Sequence, residues 1–132
     1  MTRQMRELQA ALPVSSQAKL VTLTTDPNFD TPPVLKAYGD RFGVDFNRWM
    51  FLTGLPRQIA NLATDSLKLT AIEKKPEERE SSADLFIHST IFVAVDKHGR
   101  LRGVYETSGE RIDPAQVRSE LLSAVRRLEH EK

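Results

Sequence analysis

Three side chains in this sequence combine a reactive type with a suggestive setting: Asp26, Asp30 and His88. The two aspartates lie four residues apart in Thr25-Asp26-Pro27-Asn28-Phe29-Asp30-Thr31-Pro32-Pro33. Its prolines fix several backbone torsions. A carboxylate pair suits proton transfer or a hard cation, although the spacing does not oblige the two groups to converge on one point. His88 stands in Leu85-Phe86-Ile87-His88-Ser89-Thr90, just before the apolar run Ile91 to Val95, where an imidazole could bind a metal or move a proton. Simpler roles compete with these. Asp30 or Thr31 would cap the helix that follows, and a single histidine beside a strand commonly satisfies a local hydrogen bond. His98, in a turn, and His130, in a charged tail, read as exposed and idle.

These residues need a scaffold, and the pattern supplies one. Met1, Met5, Leu8 and Leu12 recur at helical spacing until Pro13. Leu20, Val21 and Leu23, with threonines between and after them, predict a strand. Val34, Leu35, Tyr38 and Phe42 then mark a helix that ends at Gly43. A second strand-to-helix step follows, from Trp49 to Leu52 and then, past Pro56, through Ile59, Leu62 and Ala63. The aspartate loop therefore leaves the carboxyl end of a strand, the end that faces the ligand crevice in open α/β sheets. Leu67, Leu69 and Ile72 suggest a short strand, and Glu73 to Asp84, with eight charged residues in twelve, a solvated loop. Ile91 to Val95 and Leu101 to Tyr105 predict an antiparallel hairpin turning at His98-Gly99, with Lys97 and Arg102 on the solvent face. Asp113-Pro114-Ala115-Gln116 has the form of a capping box opening a last helix, striped by Val117, Leu121, Val125 and Leu128, whose tail from Glu129 to Lys132 should fray. The fold class expected is α/β, a mixed sheet flanked by helices.

Composition narrows the function. A chain of 132 residues, 39% apolar, is enough for one domain with an ordinary core. With 19 basic and 18 acidic residues intermixed there is no electrostatic footprint for nucleic acid. No apolar run approaches the ~20 residues of a membrane span, and Met1 to Glu7 lacks the apolar core of a signal peptide. As written the chain reads as cytoplasmic, with no membrane segment. It contains no cysteine, so it has neither a disulfide nor a thiolate nucleophile or ligand. No glycine-rich phosphate loop and no serine, histidine and acid constellation is discernible.

Taken together, Leu20 to Pro32, Tyr38, Phe42-Gly43, Trp49, Leu52-Thr53-Gly54, His88-Ser89-Thr90 and Asp96-x-x-Gly99-x-Leu101-Arg102-Gly103 resemble the Sco/SenC family over nearly the whole chain. The resemblance implies a single thioredoxin-like domain over residues 1–132. Members are typically membrane-anchored, facing the periplasm or intermembrane space. They deliver copper to the copper-site subunit of cytochrome c oxidase or act as thiol-disulfide reductants. It also implies a metal held by a Cys-x-x-x-Cys-Pro motif and one histidine, a position His88 matches, with Asp26 and Asp30 as the adjacent acidic loop. On this reading the protein is a metallochaperone rather than an enzyme. The competing readings are a thiol-disulfide reductase or peroxiredoxin-like protein, and a non-catalytic interaction module.

The departure from the family is the missing thiol pair. The resemblance implies that this sequence starts just after the Cys-x-x-x-Cys-Pro motif and lacks the first central strand, between the strand at Leu20 and that at Ile91. A domain incomplete in this way would be poorly stable alone and, with one imidazole and hard carboxylates facing a soft ion, would bind copper only negligibly. If Met1 is internal to a longer gene, the genomic DNA upstream will read in frame through two cysteines three residues apart, preceded by an apolar anchor. An immediate in-frame stop would refute that origin.

Overall fold

The computed structural model describes residues 1–67 and 91–132. The expected strand through Leu69 and Ile72, the charged loop at 73–84, and His88 lie outside the described residues. The chain divides into two compact units, Met1–Leu20 with Thr90–Lys132, and Val21–Ser89.

In the first unit, α1 (Thr2–Ala11) packs against α4 (Pro114–His130), which also covers the hairpin of β3 (Ile91–Val95) and β4 (Leu101–Glu106). The apolar spacing read from the sequence becomes a core of Leu8, Leu12, Ala94, Leu121, Ala124 and Leu128, all buried. The hairpin is antiparallel, pairing Ile91 with Glu106 and Ala94 with Gly103. Its register shifts between Ala94 and Val95, which pairs with Leu101, so Arg102 is the extra residue of a β-bulge. Gly99, at φ 77°, supplies the left-handed turn residue.

Three expectations change here. Asp113 caps α4 by accepting from the Ala115 N–H at 3.0 Å, but Gln116 does not complete a capping box: its amide donates to Glu120, one turn on, at 3.1 Å. The tail does not fray. Glu129 Oε1 accepts from the Ser16 hydroxyl at 2.6 Å and from the N–H groups of Gln17 and Ala18 at 2.7 and 3.1 Å. The Ser16 bond leads the forces that lower the Glu129 pKa. Nor are Lys97 and Arg102 a passive solvent face. Lys97 Nζ donates to the Glu131 carbonyl at 2.6 Å, and Arg102 makes a forked bond to the Glu131 carboxylate at 2.5 and 2.9 Å.

The centre of this arrangement is Asp96, whose side chain is only 3% exposed. Its Oδ1 accepts from the N–H groups of His98 and Arg100 at 2.9 and 3.0 Å, and its Oδ2 from Arg100 Nε at 2.8 Å and Arg102 at 3.1 Å. Burial by itself would raise the Asp96 pKa. These four donors outweigh it and hold the carboxyl well below the usual carboxylate range.

In the second unit, β1 (Leu20–Leu23) pairs with β2 (Trp49–Leu52). The Thr24 N–H donates to the Leu52 carbonyl at 3.1 Å, which joins the carboxyl ends of the two strands, so they run in the same direction. The crossover is α2 (Pro32–Arg41), packed on β2. Trp49 is fully buried, stacks on Phe51 at 5.1 Å and donates its indole N–H to Thr22 Oγ1 at 2.9 Å. Tyr38 meets Phe42 and Phe51, and Phe46 approaches Phe51 at 6.2 Å. Beyond β2, α3 (Pro56–Asn61) runs into a π-helical turn at Leu62–Ser66, closed by the Leu67 N–H on the Leu62 carbonyl at 2.9 Å. Leu67 therefore ends a helical segment rather than starting the expected strand.

Two outcomes test this packing. A Cβ added at Gly39 would lie 2.5 Å from Phe46 Cζ. Gly39→Ala should therefore lower stability by about 1–3 kcal/mol in denaturant unfolding despite alanine's better helix propensity. The depressed pKa of Asp96 gives stability that is fully present above the unfolded carboxylate value of about 3.9 and is lost as pH falls toward the folded value. Asp96→Asn should lower Tm at neutral pH and flatten the decline of Tm below about pH 4.

Candidate functional site

The aspartate loop is built on Thr24, the residue that follows β1, which is 5% exposed. Its hydroxyl oxygen accepts from the Asp26 N–H at 2.9 Å while its proton goes to Asp30 Oδ2 at 2.5 Å. The loop then closes on itself, since the N–H groups of Phe29 and Asp30 both donate to the Asp26 carbonyl, at 3.2 and 2.9 Å. Pro27 has no N–H to offer, and Pro32 and Pro33 occupy the first two positions of α2. The result is a stiff turn leaving the carboxyl end of the β1–β2 ladder, where the sequence placed it.

The capping role weighed for Asp30 or Thr31 is not what the loop uses. Thr31 is the N-cap of α2 but makes no side-chain capping bond. The Asp30 carboxylate instead takes the Thr24 hydroxyl, across the loop. Asp26 is exposed and Asp30 half-buried. The structure thus brings the two aspartates into one turn, with one carboxylate committed to holding the loop and the other facing solvent. Phe29 between them is 70% exposed.

His88 lies outside the described residues. Among those described, no group of three or more His, Cys, Asp and Glu side chains could hold a metal. The turn alone supplies only hard oxygen donors, which do not suit a soft monovalent ion. Thr24 is the site residue that the sequence reading missed. Its only signal was position: a threonine at a strand's end, two residues before an Asp-Pro pair, is placed to bond the turn that follows.

A thioredoxin-like α/β protein is the class that this fold defines, and two solved structures share it. A SCO1/SenC family lipoprotein from Bacillus anthracis str. Ames superposes with a TM-score of 0.74 at 25% identity, over 98% of this chain and 71% of its own. BsSco, described as a member of the Sco family of cytochrome c oxidase assembly proteins with a disulfide switch, gives 0.69 at 30% identity, over 95% of this chain and 70% of its own. A SCO1 protein homolog of Bacillus subtilis (strain 168) is 33% identical over 103 residues, 76% of this chain. The family model described as SCO1/SenC matches residues 1–125. The chain belongs to the SCO1/SenC family, and it spans about half the length (50%) of the curated relative it matches.

Replacing Thr24 by valine keeps the shape of the side chain and removes both bonds of the hydroxyl. Thr24→Val should cost about 1–3 kcal/mol in chemical unfolding, and Thr24→Ser should restore most of it.

Proposed function

We propose that this chain is part of a Sco-type protein that carries copper, as cargo, to the copper-site subunit of cytochrome c oxidase during assembly. One observation carries this reading: the family match spans residues 1–125, a range that includes both the aspartate turn and His88. In this reading His88 is the imidazole ligand. Asp26 and Asp30 form an acidic wall beside it, with Asp30 held by Thr24 and Asp26 left available to water. Two thiolates would complete the ligand set, and this sequence contains none. A lone imidazole among carboxylates holds Cu(I) weakly, so the chain by itself does not retain copper. The role proposed is therefore that of a metallochaperone acting on a protein partner, with membrane attachment at the level of the whole protein.

A second reading has support from a relative. BsSco carries a disulfide switch, so the same framework is compatible with thiol-disulfide chemistry in which His88 only tunes a cysteine pair.

A Cu(I) titration separates the two. The chain of residues 1–132 should show no stoichiometric binding in competition with a chelator. A longer protein carrying the cysteine motif should bind one copper and lose it on His88→Ala. Disulfide reductase activity indifferent to His88→Ala would favour the second reading, and neither property would leave only an interaction module.

A further inference from the structure

Among the described residues of the first unit, one buried side-chain polar atom is not satisfied by the packing around it. Gln4 Oε1 has no hydrogen-bond partner among the described residues. The other end of the same amide is fixed, because Nε2 donates to the Thr107 carbonyl at 3.0 Å. Turning the amide over would set two carbonyl-type oxygens against each other, so rotation does not cure the orphan. Burying such an acceptor without a donor is unfavourable, and native interiors almost always provide one.

Gln4 also lines a cavity of about 10 Å³. Its apolar wall is Leu8, Phe92, Val117 and Leu121, and its polar rim is Glu7 and Arg118. Those two are paired, Arg118 NH1 to Glu7 Oε2 at 2.6 Å, with side chains 34% and 49% exposed. One bond between them leaves donor capacity on the guanidinium and acceptor capacity on the carboxylate. The volume is at the lower limit, about 10–15 Å³, for holding one water molecule.

We infer that this cavity is a binding site for a single ordered water. The water donates one proton to Gln4 Oε1 and the other to the Glu7 carboxylate, and it accepts from Arg118. Three partners is the usual number for a water in a protein interior. The alternatives fail on size or charge. An organic ligand does not fit, an apolar atom would leave the acceptor unsatisfied, and a cation would meet the Arg118 charge at the rim. The site joins three elements through one amide: α1 through Gln4 and Glu7, the residue after β4 through Thr107, and the first turns of α4 through Arg118. It is independent of the copper reading and concerns how α1 is seated.

The test uses the full chain. Water–protein cross-relaxation in NMR should show a long-lived water near the Gln4 side-chain amide and the Val117 methyls. Absence of those contacts, or a crystal structure with an Arg118 N–H directly on Gln4 Oε1, would overturn the site. A double-mutant cycle gives a second measure. Val117→Ile fills the cavity and should lower Tm by roughly 4 °C by expelling the water and orphaning the oxygen. In a Gln4→Met background, where no acceptor is left to orphan, the same change should lower Tm far less. An equal drop in both backgrounds would mean simple overpacking, and a rise in the wild-type background a dry cavity; either refutes the proposal.

Discussion

A buried carboxylate organises the first unit. Asp96 sits where the hairpin turns, and it is kept ionised by two backbone N–H groups and two guanidinium donors. With the charge compensated on both oxygens, the cost of desolvating it is outweighed. The same carboxylate fixes Arg102, whose forked bond then fixes Glu131 at the end of α4. The bulge that inserts Arg102 into β4 belongs to this design, because it is the extra residue that carries the bridging charge. Turn, strand register and helix end are coupled through one side chain.

The second unit solves a similar problem with neutral groups. The indole of Trp49 is buried whole, and its N–H is met by Thr22. One strand position further along the same face, the hydroxyl of Thr24 receives the Asp26 amide and holds the Asp30 carboxylate. Two threonines, one in β1 and one just past its end, thus serve the core and the loop. The stiffness of the aspartate turn comes from the strand beneath it as much as from its prolines.

Much of this was legible because it is written in spacing. Leu8 and Leu12, Leu121 and Leu128, and Trp49 announce buried positions directly, and the structure buries them, although Met50 and Leu52 of the same apolar run stay 41% exposed. Gly43 and Gly99 were readable as helix end and turn because both adopt positive φ, at 67° and 77°. What escaped was polar and long-range. Arg102 looked like strand surface, because its bond to Asp96 depends on a bulge that no local pattern reveals. Glu129 resembled a fraying end because its partners, at Ser16 to Ala18, stand more than a hundred residues away. At the site, the placing of Asp26 and Asp30 in one loop at a strand's end was visible in the sequence, whereas their carboxylates take separate roles. The role of Thr24 was not, since a hydroxyl's partners are set by geometry.

Because Glu129 and Glu131 are fastened to Ser16 and Lys97, the first unit is assembled from the two ends of the sequence, whereas Val21–Ser89 is one continuous stretch. On a ribosome that continuous stretch is complete while the last helix is still unmade. The first unit must wait for α4, and α1, made before that stretch, spends the interval without its packing partner. Its apolar stripe, Leu8 and Leu12, stays uncovered until α4 arrives.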